Sequence, residues 1–143
     1  MAKKIKKPKK FNPAKAKRKL DRLFSEYILA RDKRVCQRCG KTEGKFDTSH
    51  CIPREVLSLR WTPENAYCLC FKDHKLVWHK NPLVGVKWLR QYLGDNVCNR
   101  LLAASEQSFE FNENVAACIE AELKEKIATV CAVSNMPTPQ ESK

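Results

Sequence analysis

No run of 18 or more apolar residues occurs anywhere in the 143-residue chain, so a membrane-spanning helix is not expected. No apolar h-region lies near the N-terminus, which argues against a secretory signal and for a soluble, cytoplasmic protein. Glycine is scarce, with four residues, and they form no glycine-rich phosphate loop. Internal repeats are also lacking. With 43% hydrophobic content, the chain can bury one modest core, and a single domain with tails is the expectation.

Acid is missing from the first 20 residues, "MAKKIKKPKKFNPAKAKRKL", which carry nine Lys and one Arg. The other 18 basic residues are nearly balanced by 16 acidic ones, so most of the net charge of +12 belongs to this segment. A block of like charge repels itself and buries no core, so residues 1–19 read as a disordered basic arm. Lys6, Lys7, Lys9 and Lys10 are then candidate phosphate contacts, binding a polyanion by counterion release. The plainer reading is a solubilising tail. A membrane-surface role fits less well, because the arm has no apolar face.

Eight cysteines are present. In a chain without an export signal they point to metal binding rather than to disulfides. Cys36-Gln37-Arg38-Cys39-Gly40 is a C-x-x-C-G knuckle, whose two-residue spacer lets both thiolates reach one ion while Gly40 permits the turn behind them. A second pair should read C-x-x-C, but the chain has Cys70-Phe71-Lys72-Asp73 followed by His74. Cys98, Cys118 and Cys131 stand apart among helical apolar residues and are expected to be buried as small hydrophobes.

The pattern of apolar residues divides the rest. Leu20, Leu23, Phe24, Tyr27 and Ile28 recur with helical spacing before the knuckle. Phe46 to Ile52 alternates like a short strand closed by Pro53, and Ala66 to Cys70 reads as a second strand after a turn at Thr62-Pro63-Glu64-Asn65, a hairpin being the simplest connection. A helix is expected from about Asp73, and another from Asn81-Pro82 to Leu93, stopped by Gly94. Val97–Ala104 and Glu113–Val130 read as two more helices, the second presenting Val115, Cys118, Ile119, Leu123 and Ile127 on one side. The organisation is thus an arm (1–19), a core (20–94), a helical extension (95–130) and a flexible tail (131–143), of α+β class and mostly helical overall.

All three histidines, His50, His74 and His79, fall within 30 residues. The order of C-x-x-C, a strand ending in His, an Asn before a second strand, then Cys and His entering a helix resembles the HNH endonuclease family. The stretches "FDTSH", "LRW", "EN" and C-x-x-D-H resemble, within it, the branch of the phage NinG (Rap) recombination proteins. The resemblance spans roughly residues 20–94. It implies a small ββα-metal core with a structural zinc, acting as a metal-dependent DNA endonuclease on branched or junction DNA, in host cytoplasm if phage-encoded.

On that resemblance His50 is the general base, His74 binds a catalytic Mg²⁺ or Mn²⁺, and Asn65 pins the loop carrying His50 by side-chain hydrogen bonds. The chemistry asks for such groups, since phosphodiester hydrolysis needs a base for water and a cation for the charge on the leaving oxygen. Relatives often place an Asp before the base; here that position is Ser49. Asp47, on the other face of the strand, and His79 are the remaining candidates for the catalytic cation, with His79 equally readable as a surface or DNA-contacting residue. The relatives' four-cysteine zinc site maps onto Cys36, Cys39, Cys70 and Asp73, with Cys68 or Cys51 as substitutes for Asp73, or with the zinc lost. Arg54, Arg60, Lys72 and Lys75 are candidate phosphate contacts. A homing or packaging-associated HNH nuclease cutting duplex DNA, and a non-catalytic zinc DNA-binding protein, remain alternatives. Whether the chain acts alone or as a homodimer is open.

Overall fold

A computed structural model describes residues 10–135. The first helix, α1 (Pro13–Arg31), opens with Asn12, whose side chain accepts from the Lys15 amide at 3.0 Å, and with Pro13 in the first turn. An Asn at the N-cap and a Pro in the first turn both favour helix initiation. The helix therefore begins seven residues before Leu20, and residues 13–19, expected within a disordered arm, form its first two turns. Lys6, Lys7 and Lys9 lie outside the described residues.

Strand β1 (Phe46–His50) pairs antiparallel with β2 (Ala66–Cys70), from Phe46 opposite Cys70 to His50 opposite Ala66 without a bulge. The connection contains a single 3-10 turn, Pro63–Asn65. Helix α2 (Phe71–His74) starts two residues earlier than expected and runs on as a π-helical turn over Lys75–Lys80. Helix α3 (Pro82–Leu93) ends at Gly94, whose φ of +83° supplies the left-handed stop. Helices α4 (Asp95–Ser105) and α5 (Glu113–Ser134) complete a mostly helical α+β fold with one two-stranded sheet. Since α5 runs to Ser134, the tail begins later than 131.

The main core is built on α1. Leu20, Phe24 and Ile28, spaced four apart, pack with Ala116 and Leu123 of α5 and with Trp61 and Ala66 of the hairpin. The last helix thus contributes Ala116 and Leu123 to the same core. It packs by one stripe only, and Cys118, two residues from Ala116 and so about 200° round the helix, is exposed together with Cys131. Only Cys98 of the three isolated cysteines is buried as expected. The C-terminal end of α1 is stitched to the hairpin by charge. Arg31 donates to the carbonyls of Pro63 (2.7 Å) and Ala66 (2.8 Å), and Asp32 accepts from the Cys68 amide at 2.8 Å. No helix among the described residues is long and apolar enough to cross a membrane.

Leu123 is 2% exposed and fills the α1–α5 interface. Leu123→Ala should lower unfolding free energy by about 2–5 kcal/mol, the range for a buried leucine that leaves a cavity, as read by urea denaturation. A loss below about 1 kcal/mol would mean that α5 is not part of the cooperative core.

Candidate metal centre and histidine cleft

The C-x-x-C knuckle turns as its residues require. The Gly40 amide donates to the Cys36 carbonyl (2.8 Å), the Cys36 amide to that of Lys41 (2.9 Å), and Gly40 has φ of +74°. The Gln37 amide donates to the Cys68 carbonyl at 2.9 Å, fixing the knuckle against β2. Cys70 at the end of β2 and Asp73 in α2 then face it. One donor atom from each of Cys36, Cys39, Cys70 and Asp73 lies within 4.8 Å of the others, and these four residues could hold a metal ion. Among the described residues no other group of three or more His, Cys, Asp or Glu donors converges in this way. Cys68 and Cys51, the substitutes for Asp73, are not in the group.

The spacings are compatible with zinc. A tetrahedral ion with bonds near 2.3 Å to sulfur sets ligand atoms about 3.8 Å apart. The Sγ atoms of Cys39 and Cys70 are 3.8 Å apart, and Asp73 Oδ2 lies 3.2 Å from Cys36 Sγ and 3.5 Å from Cys70 Sγ. Asp73 is 3% exposed. Burial pushes its carboxyl up, but hydrogen bonds from the Cys39 and Cys36 thiols, Arg38 and Cys70 outweigh this and hold it below the usual carboxylate range. The same contact with Asp73 is the main reason the Cys39 thiol is pushed up to about 12. The second carboxylate oxygen, Oδ1, accepts from Arg38 Nη1 at 2.8 Å. Arg38 therefore orients Asp73 so that Oδ2 faces the sulfurs, the outer-layer role that commonly tunes a metal ligand. Sequence reasoning missed Arg38, although a basic residue between two cysteines that must face a carboxylate was a usable signal.

The histidines meet elsewhere. His50, His74 and His79 line one cleft of about 580 Å³, together with Thr48, Arg54 and Trp78. His50 Nε2 lies 2.9 Å from the Arg60 carbonyl. A carbonyl can only accept, so that nitrogen carries the hydrogen and Nδ1 keeps its lone pair. Burial lowers the His50 pKa below the ordinary 6.5, outweighing the opposite pull of the carbonyl and Asp21. Phe24 of α1 covers the ring, with centroids 5.5 Å apart.

Asn65, fully buried, holds the loop that follows His50. Its Nδ2 donates to the carbonyls of Ile52 and Leu59, both at 3.0 Å, and its Oδ1 accepts from the Ile52 amide at 2.8 Å. His74 Nδ1 lies 3.3 Å from Asp47 Oδ2, and the His74 and His79 ring centroids are 5.2 Å apart. Because β1 is unbroken, Asp47 stays on the strand face opposite His50, and it meets His74 without lining the cleft. Ser49 is 1% exposed and does not line the cleft.

The basic candidates separate. Arg54 is exposed at the cleft, and Lys72 and Lys75 are exposed on α2 and the turn after it. Lys10 is exposed near the start of α1. Arg60 is not a free phosphate contact, because Asp21 takes its guanidinium at 2.9 and 2.7 Å. Comparison with known proteins finds no matching family model, no matching curated protein and no matching solved structure.

For the four-donor group, Cys36→Ser and Asp73→Ala should both lower metal content and melting temperature, the former more. Asp73→Cys should retain the metal, and Arg38→Met should weaken metal affinity about 10- to 100-fold, the usual cost of losing an orienting partner. Elemental analysis and competitive chelation read these outcomes. Full metal content in Asp73→Ala would remove Asp73 from the ligand set.

Proposed function

We propose that the protein is a metal-dependent DNA endonuclease of HNH type, with zinc at Cys36, Cys39, Cys70 and Asp73 holding the fold and the histidine cleft as the reaction site. The observation that carries this reading is the meeting of all three histidines of the chain in one cleft, with His50 already held in one tautomer. Nδ1 of His50 takes a proton from water, and the resulting hydroxide attacks the phosphorus as the bond to the leaving oxygen breaks. His74, steadied by Asp47 at Nδ1, offers Nε2 to a divalent cation, with His79 beside it. Mg²⁺ or Mn²⁺ bound there supplies charge neutralisation at the leaving oxygen, and such ions need few protein ligands because they keep waters and take phosphate oxygens. Asn65 keeps the His50 loop in register, and Arg54 lies where a phosphate would enter. The preference for branched or junction DNA rests on the family resemblance alone.

The polyanion surface has a physical basis in α1. Lys15, Arg18, Lys19 and Arg22 are exposed at i, i+3, i+4 and i+7 and so form one stripe. They line, with Lys10, a groove of about 760 Å³ along α1 and α5. Lys19 is paired with Glu120 at 2.7 Å, and among the described residues Lys15, Arg18 and Arg22 are the candidate phosphate contacts of this stripe.

A second reading, a zinc-dependent DNA-binding protein without catalysis, is favoured by one observation: among the described residues no third His, Cys, Asp or Glu donor closes on the Asp47–His74 pair. Incubating the chain with matched duplex, flap and four-way-junction DNA in Mg²⁺, Mn²⁺ or EDTA separates the readings. We expect junction cleavage that EDTA abolishes and that His50→Ala reduces by about 10² or more with affinity unchanged. Binding without cleavage in either metal selects the second reading, and site-specific plasmid cutting with junctions ignored selects a duplex nuclease. Since His50 must be neutral to act and its pKa is lowered by burial, the rate should hold as pH falls through 6.5 and drop only below it. A rate already halved above pH 7 would exclude His50 as the base.

Replacing Lys15, Arg18 and Arg22 together by Ala should flatten the slope of log affinity against log salt by up to about 3, since each phosphate contact contributes about 0.9. An unchanged slope would place the DNA elsewhere.

A further inference from the structure

Asp21 lies on α1, does not line the cleft and has no direct hydrogen bond to His50 or to the four-donor group. Its carboxylate nevertheless gathers three donors from the loop between the strands. Oδ1 accepts from Arg60 Nε at 2.9 Å and from Trp61 Nε1 at 3.0 Å, and Oδ2 accepts from Arg60 Nη2 at 2.7 Å. Arg60 and Trp61 are consecutive, and the peptide that joins them carries the carbonyl to which His50 donates. Asp21 therefore grips both side chains that flank the peptide orienting His50. The pair is well shielded, with side chains 17% and 21% exposed for Arg60 and Asp21, and the contact is two-pronged, the geometry in which a guanidinium is most firmly held. Arg60 Nη1 also donates to the Arg54 carbonyl at 3.2 Å, extending the brace to the cleft rim. One turn along the same helix face, Phe24 covers the His50 ring.

We propose that Asp21 is a positioning residue that, through the Arg60–Trp61 peptide, fixes the tautomer and orientation of His50. The proposal rests on the reading of His50 as the base for its consequence in activity, but not for its consequence in structure. An ion pair that merely tied α1 to the loop would stabilise the fold and leave the imidazole as it is. A brace on this particular peptide changes which ring nitrogen carries the hydrogen, because a rotated carbonyl no longer selects Nε2.

The test uses the full metal-loaded chain and two readouts. Imidazole ¹⁵N spectra at neutral pH should show His50 of the unaltered protein as a single tautomer protonated at Nε2. Asp21→Ala should give a mixture of tautomers and lower kcat on junction DNA at least about 10-fold, with KM within about twofold and metal content unchanged. Asp21→Asn keeps Oδ1, which accepts two of the three hydrogen bonds, and should recover most of both signals. If Asp21→Ala does not fold, Arg60→Ala decides, since it removes two donors yet keeps the carbonyl, and it should show the same mixture. A single Nε2-protonated tautomer in a folded Asp21→Ala or Arg60→Ala chain overturns the proposal. Should the unaltered protein cleave no DNA, the nuclease reading fails while the spectra still decide the role of Asp21.

Discussion

The structure turns on a carboxylate that is buried among sulfurs. Asp73, 3% exposed, faces three cysteine thiols brought in from two segments more than 30 residues apart. A buried carboxylate costs several kcal/mol unless its charge is matched. Arg38 matches it at one oxygen, and a cation among the four donors would match it at the other. What this convergence fixes is position. The knuckle follows α1, whereas Cys70 and Asp73 end the hairpin and begin α2, so the group locks the first turn of α2 against the end of α1. Helix α3 joins the same arrangement through Tyr92, whose hydroxyl donates to Gln37 Oε1 at 2.8 Å, and through Trp88, which packs on the small core of Cys36, Leu69 and Cys70.

Helix α1 is the second organiser, and it works by presenting a different chemistry on each face. Leu20, Phe24 and Ile28 bury themselves against α5 and the hairpin. Asp21 and Ser25, rotated to the side of that stripe, and Arg31, at its C-terminal end, make the polar contacts to the hairpin and its loop. Ser25 Oγ lies 2.8 Å from Thr48 Oγ1, next to His50 on the cleft wall. The basic stripe occupies the remaining side. A helix has room for three such stripes because successive residues are turned by about 100°. Charge is thereby kept on the solvent face while the single acid of the helix's first half is spent inside.

Much of this was legible in the residues. The strands, the Asn81-Pro82 helix start and the stop at Gly94 follow from local rules of pattern and capping, which act over a few residues and need no tertiary information. The grouping of Cys36, Cys39, Cys70 and Asp73 was legible because a site able to hold one ion constrains the spacing of its donors. The start of α1 was not, because the like charges of "AKAKRKL" repel one another, and contact with α5 outweighs that repulsion once the chain folds. The exposure of Cys118 could not be read, since several registers of α5 present an apolar stripe and only packing on α1 selects one. The pairing of Arg60 is not legible in the sequence because its partner lies 39 positions away; only the fold brings Asp21 to it. The sequence did hold one sign of Asp21, the first acid after 20 residues without any.

Asp73 and His74 are adjacent in α2 but serve different surroundings, one enclosed by thiols and the other open to the cleft. Their divergence follows from helical geometry, which directs neighbouring side chains about 100° apart. Any ion that draws Asp73 toward the cysteines therefore also sets the direction in which His74 projects. His50 is held independently of that ion, by the Arg60 carbonyl, Asn65 and the Phe24 ring, all of which depend on α1 and the loop. The cleft is thus assembled from two halves with separate supports, one anchored by the cysteine–aspartate group and the other by α1. They are joined by the pairing of β1 with β2, five residues each, by the contact of Asp47 with His74, and by Arg31 and Asp32 at the end of α1, which bond to β2.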